Sequence, residues 1–378
     1  MTAHAGPTEP PAMLHLQGVK LVVAVLLIAA PGAGRAANVA PDLERGEKLF
    51  RDGDLAGALQ AFDSAGKTDS KDARPLYLRG VVLEKKNDLA GAEKAYREAI
   101  ARDGKFAPAH NNLGAIFLGK TDLPEAEKEL VAATTIDPKN ASAAFNLGLL
   151  REAQKQPREA AAAYRKAVAL SPREGTYHAN LCSALRKTGD LDGAIAECRQ
   201  AVRLSPESAM VLTNLGLLLS DKGLFDDARV QLQKATQLDA TFAPAWTGLG
   251  RVELRRKQAV AAVDALAKSA KLGPKDSGVA ADYCRALVEK DMSAKLAEEE
   301  CRKATVLDPR NALGHYELLK ILVAKGNCAG AKAEQGKLAA LPTVKAQAKV
   351  QADEIVKTCV SGKVARPAAN PGAGAKAK

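Results

Sequence analysis

Residues 76–100 read LYLRGVVLEKKNDLAGAEKAYREAI, and the reading of this stretch decides the fold. It holds two apolar patterns of helical period, broken once at Asn87-Asp88. Asparagine there ends one helix, and aspartate caps the next. The first pattern carries Gly80 and the second Ala92, small residues that let two paired helices approach closely.

Working outward, the glycine recurs. Gly46, Gly80, Gly114, Gly148, Cys182, Gly216 and Gly250 follow one another at intervals of 34 residues. A second column runs through Ala58, Ala92, Ala126, Ala160, Ala194, Ala228 and Ala262. With a one-residue insertion near Met292, the columns continue through Cys284 and Leu319, and through Ala297 and Ala331. Nine units result, near 39–72, 73–106, 107–140, 141–174, 175–208, 209–242, 243–276, 277–311 and 312–345, with a capping helix at 346–360. Gly53-Asp54, Asn87-Asp88 and Gly189-Asp190 mark turns inside units. Asp137-Pro138, Ser171-Pro172, Ser205-Pro206 and Asp308-Pro309 close them, since proline cannot continue a helix but can start one.

These columns resemble the tetratricopeptide repeat family: Leu-Gly in the first helix, Ala, an aromatic or Leu, then Ala in the second, and a closing Pro. The resemblance covers over four-fifths of the chain. It implies an all-α fold, a right-handed superhelical solenoid of helix-turn-helix repeats. Leu319 and Gln335 depart from the pattern, as expected of a terminal repeat that caps the stack.

The composition agrees with a helical array. Apolar residues make up 47% and aromatics only 4%, so the core is mainly Ala and Leu, which favour helices. Of the net charge of +11, residues 1–36 hold +1 and residues 361–378 hold +4, leaving +6 on the array. That is a solvated surface, and no nucleic-acid site is expected.

At the N-terminus, Lys20 precedes an apolar run from Leu21 to Ala30, then Pro31 and small residues. This is the layout of a secretory signal peptide over 1–36, cut after Ala36, with Met13 as an alternative start. The run is shorter than the ~20 apolar residues of a membrane span. An uncleaved inner-membrane anchor is the alternative reading, and no cysteine stands at the cut for a lipoprotein. The tail 361–378, rich in Ala, Pro, Gly and Lys, is too poor in apolar surface to fold.

Numbering each unit from its first helix places the glycine column at position 8. Cys182 and Cys198 then occupy positions 8 and 24, as do Cys284 and Cys301 after the insertion. Two antiparallel helices joined by a short turn bring such positions face to face. The same registry across the next turn opposes Cys328 and Cys359. Six cysteines allow 15 pairings, and this one satisfies hairpin registry three times. Three disulfides are expected, each worth about 3 kcal/mol, and they would place the chain in an oxidising compartment such as the periplasm. Six buried free thiols are the alternative.

Catalytic chemistry is not visible. His4 and His15 fall in the leader; His110, His178 and His315 all sit at position 4, a packing slot shared with Trp246. No histidine remains for a nucleophilic triad, the glycines are spaced for packing, and Glu298-Glu299-Glu300 reads as a solvated helix face. His178 and Cys182 could share a metal only if a second pair converged on them. No enzyme, metal or cofactor is expected.

One column asks for more. Asn112, Asn146, Asn180 and Asn214 all occupy position 6, beside a mixed position 5 that supplies Tyr77, Asn111, Phe145, Ala179, Thr213 and Thr247. In the tetratricopeptide family such an asparagine ladder is associated with holding extended peptides, which implies a peptide-binding groove of Asn112, Asn146, Asn180, Asn214, Tyr77, Asn111 and Phe145. Equally, the amides could bond to their own neighbours. The expectation is an exported protein-binding scaffold of the bacterial cell envelope, serving a pilus, secretion or motility assembly. The alternative is an accessory of exopolysaccharide export or of a glycosyl-transferring enzyme. Docking to an envelope membrane complex and the oligomeric state stay open.

Overall fold

The computed structural model describes residues 40–361, so the expected leader and nearly all of the expected tail lie outside the described residues. All regular structure among these residues is helical. The chain divides into two compact units between Glu197 and Cys198.

The first unit holds α1 Ala40–Asp52, α2 Leu55–Thr68, α3 Arg74–Lys85, α4 Leu89–Arg102, α5 Ala107–Gly119, α6 Leu123–Ile136, α7 Ala141–Ala153, α8 Pro157–Leu170 and α9 Gly175–Thr188. The division falls within α10, Leu191–Leu204. The second unit continues with α11 Ala209–Asp221, α12 Phe225–Leu238, α13 Ala243–Arg255, α14 Ala259–Leu272, α15 Ser277–Lys290, α16 Lys295–Leu307, α17 Ala312–Ala324, α18 Cys328–Ala340 and α19 Ala346–Val360. In both units helices pack pairwise as hairpins, and within each unit successive hairpins pack on one another.

The hairpins follow from three local devices. Position 15 adopts a left-handed conformation, at Gly53, Asn87, Thr121, Lys155, Gly189, Gly223, Lys257 and Gly326. This reverses the chain in two residues, and the next residue often caps the second helix: Asp54 accepts from the Gly57 amide at 2.8 Å and Asp88 from Gly91 at 2.9 Å. In the eighth hairpin Asp291 is extended instead, and four residues separate α15 from α16. The extra residue near Met292 is absorbed in this longer turn.

Second, the alanine column, from Ala58 to Ala331, is wholly buried. Third, position 8 lies against position 24. A Cβ on Gly114 would stand 2.6 Å from Leu130 Cγ, so only glycine fits there. In the eighth hairpin the glycine and its large partner are replaced by Cys284 bonded to Cys301, with Cα atoms 5.1 Å apart. In the ninth the sizes are reversed: Leu319 is buried, and Gln335 donates to Asp353 of α19. Cys328 is bonded to Cys359, Cα atoms 5.6 Å apart, which ties α18 to α19. No described cysteine is free, and Cys182 and Cys198 are both disulfide-bonded.

Candidate partner-binding face

The first helix of each hairpin carries the asparagine column, and in the N-terminal unit the structure links its amides into a chain. Asn146 Nδ2 on α7 donates to Asn111 Oδ1 on α5 at 2.9 Å, and Asn111 Nδ2 donates to Asn112 Oδ1 at 3.0 Å. Asn112 Nδ2 donates to the Tyr96 hydroxyl on α4 at 3.1 Å, and that hydroxyl donates to Glu84 Oε2 on α3 at 2.5 Å. Every bond runs in one direction, from Asn146 to the Glu84 carboxylate. Buried polar chains of this kind strengthen one another when each member is satisfied.

The two ends are less satisfied than the middle. Asn146 Oδ1 accepts no hydrogen bond among the described residues. Glu84 Oε1 is buried without a partner. Burial pushes the Glu84 carboxyl up from its usual value, against the opposing effect of the Tyr96 bond. Burial also pushes the Tyr77 phenol up to about 12, with the Glu84 charge adding to it.

The position-5 residues read as lining are placed differently. Tyr77 and Phe145 are buried, Tyr77 edge-on to Phe106 with ring centroids 5.4 Å apart, and Phe145 stacked on Tyr177 at 4.7 Å. They pack the hairpins together. Asn111 is the link between the amides of neighbouring hairpins. Asn180 is half-buried and turns its amide back to the Thr176 carbonyl on its own helix at 2.8 Å, outside the chain. Asn214 is half-buried in the second unit.

In that second unit the column changes chemistry. At position 6 stand Asp282 and Glu317, both buried. Arg251 Nε donates to Asp282 Oδ2 at 2.6 Å, and Lys320 Nζ donates to Glu317 Oε2 at 2.7 Å. Each of these carboxylates is ion-paired, Asp282 with Arg251 on α13 and Glu317 with Lys320 one turn further along α17.

The histidines do more than fill a slot. His110 Nδ1 meets Glu129 Oε2 at 2.6 Å and its Nε2 meets the Gly104 carbonyl at 3.1 Å. His178 repeats this with Glu197 and the Pro172 carbonyl, and His315 with Glu334 and the Pro309 carbonyl. Each ring lies between two acceptors and, when charged, donates from both nitrogens. The Glu129 bond raises the His110 pKa, and the same bond holds Glu129 below the usual carboxylate range. Trp246 makes the single-donor version, Nε1 to the Ala240 carbonyl at 2.9 Å. Sequence reading missed the glutamates, although the spacing of 19 from each histidine recurs three times.

The sequence profile of the tetratricopeptide repeat matches residues 43–108, 77–141, 111–174, 145–209 and 213–277, more than half of the chain. The chain belongs to the tetratricopeptide repeat family. Tetratricopeptide repeats make it a protein–protein interaction scaffold, and members of the family are typically not enzymes. No curated protein matches the chain. Among solved structures it is similar to a chain in the APC/C hetero-tetramer Cut9–Hcn1, with 18% identity and a TM-score of 0.55 over 74% of this chain and 55% of that one. It is also similar to a tetratricopeptide repeat protein from Parabacteroides merdae, with 19% identity and a TM-score of 0.52 over 67% of this chain and 98% of that one. These likenesses concern the fold alone. No helix among the described residues is long and apolar enough to cross a membrane.

Proposed function

We propose that this tetratricopeptide protein is an exported scaffold that holds an extended segment of a partner protein along the first-helix face of its N-terminal unit. The observation that carries this reading is the one-way amide chain with an acceptor left open on Asn146. A backbone N–H of a partner strand donating to that oxygen would extend the chain by one member, at no cost to the bonds already made. Asn180 joins the surface if its amide leaves the Thr176 carbonyl. Bonded cysteines and the signal-like leader favour an oxidising, exported compartment, and so a partner among cell-envelope proteins such as pilus, secretion or motility components.

The test places a photo-crosslinking residue at 180 on the first-helix face and, as control, at Val131 on α6, whose side chain is exposed. The reading expects a discrete crosslinked protein from position 180 in native cell envelopes, lost on Asn146→Ala and not formed from position 131. Equal crosslinking from both positions, or a product indifferent to Asn146→Ala, contradicts it.

A further inference from the structure

The N-terminal unit contains the tyrosine–carboxylate pair that ends the amide chain twice, at Tyr96–Glu84 and at Tyr164–Glu152, and only the second has its counter-charge. Tyr164 donates to Glu152 Oε2 at 2.9 Å, as Tyr96 does to Glu84. The second oxygen of Glu152 receives the ammonium of Lys187, from the next hairpin and 35 residues further on. The second oxygen of Glu84 receives nothing, although it is buried. Thirty-five residues beyond Glu84 stands Gly119, the last residue of α5. A Cβ built on Gly119 meets no atom within 4 Å, so nothing occupies the place where the lysine side chain starts in the complete copy.

Neighbouring lysines do not make up the loss. Lys120 is held by Glu93 at 2.5 Å, and Lys85 lies over the Phe50 ring, 4.7 Å from its centroid. The bonds from Asn146 through Tyr96 all donate toward Glu84, so this carboxylate is the sink of the chain and lacks only a counter-charge. A buried carboxylate left half-satisfied is costly, and its burial raises the Glu84 pKa accordingly.

We propose that Glu84 is a docking point for a lysine of the bound partner segment, whose ammonium supplies over Gly119 the contact that Lys187 makes to Glu152 within the chain. This deepens the reading of the first-helix face as a binding surface and rests on it. It selects among extended segments those with a lysine in register with the amide chain.

Two measurements on the full chain test it. In the first, Gly119→Lys is made in the wild type and in a Glu84→Gln background. An internal ammonium at the site raises the melting temperature in the wild type by more than in the Glu84→Gln background; an equal gain in both reflects helix propensity alone and overturns the proposal. In the second, a short acetylated and amidated peptide of alanine, serine and threonine with one central lysine is titrated against its norleucine counterpart. The lysine peptide binds the wild type about ten-fold more tightly, and the preference disappears in Glu84→Gln and in Gly119→Lys. Equal affinity of the two peptides for the wild type, including none at millimolar peptide, overturns the lysine site. If both peptides bind alike and Asn146→Ala weakens both, the binding face stands while the lysine site falls. If the lysine preference holds and Asn146→Ala changes nothing, the site stands and the amide chain is not the binding surface.

Discussion

The same column of the repeat carries linked amides at Asn112 and Asn146 in the N-terminal unit and ion-paired carboxylates at Asp282 and Glu317 in the C-terminal unit. Asn146, Asn111 and Asn112 pass hydrogen bonds along neutral groups to one carboxylate, leaving an unpaired acceptor at each end. Asp282 and Glu317 sit at the matching position, and Arg251 and Lys320 close on them. A neutral chain with unpaired ends can gain a partner without first losing a bond. An ion-paired column has to break a contact before it can make another, so the same backbone gives one region suited to recognition and another suited to holding the array together.

The largest effect that separates the two regions is reduction. Cys284–Cys301 and Cys328–Cys359 both lie in the C-terminal unit, and each bridge contributes about 3 kcal/mol by closing a loop in the unfolded chain. Reducing the protein should therefore abolish slow hydrogen exchange in α15 to α19 while α3 to α8 keep theirs. Uniform loss along the chain would break the distinction.

A smaller effect sharpens the ionic half. Asp282→Ala leaves Arg251 unpaired; its side chain is 37% exposed, so the cost is cut to roughly 2 kcal/mol by solvent screening. That cost should shrink in concentrated salt. Asn111→Ala should cost about 1 kcal/mol independently of salt, because no formal charge is removed. Denaturant midpoints at two salt concentrations check both.

The histidine bridges add a pH signature within the N-terminal unit. The folded pKa of His110 is raised, so its contribution is full below the unfolded value of about 6.5 and is lost as pH rises through the folded value. That of Glu129 is lowered, so its contribution is full above about 4.3 and is lost as pH falls. His110→Gln should cost about 1.5 kcal/mol between these limits and progressively less toward alkaline pH, read from melting curves across pH.

The smallest effect lies in the turns. Thr121 holds a φ of 60° where Gly189 holds 86°, and a β-branched residue is strained there. Thr121→Gly should stabilise the third hairpin by about 1 kcal/mol, measured as a rise in denaturant midpoint. The equivalent exchange at Gly53 or Gly189 for threonine should cost a similar amount.

The architecture was legible because it repeats: Gly80 and Ala92 announce the two helices, and their spacing carries the rest. Cysteine pairs were found by hairpin registry because their side chains are short and meet only residues directly opposite. The same rule concealed Glu129 from His110 and Glu84 from Tyr96, since long side chains reach a turn further along the helix. The asparagine column was visible at position 6, but its connection through Asn111 was not. Neighbouring hairpins place these amides in contact only through the position beside them, and spacing alone carries no such diagonal. Left-handed turns at Thr121, Lys155 and Lys257 were hidden for another reason: the hairpin imposes that conformation on residues that do not favour it.

The most direct measurement of the central claim is the side-chain amide spectrum of the full chain, wild type against Glu84→Gln. A one-way chain predicts that the Nδ2 resonances of Asn112, Asn111 and Asn146 all shift, by amounts that fall off in that order, while Asn214 in the other unit stays in place. A response confined to Asn112, or one equally large at Asn214, would contradict the account.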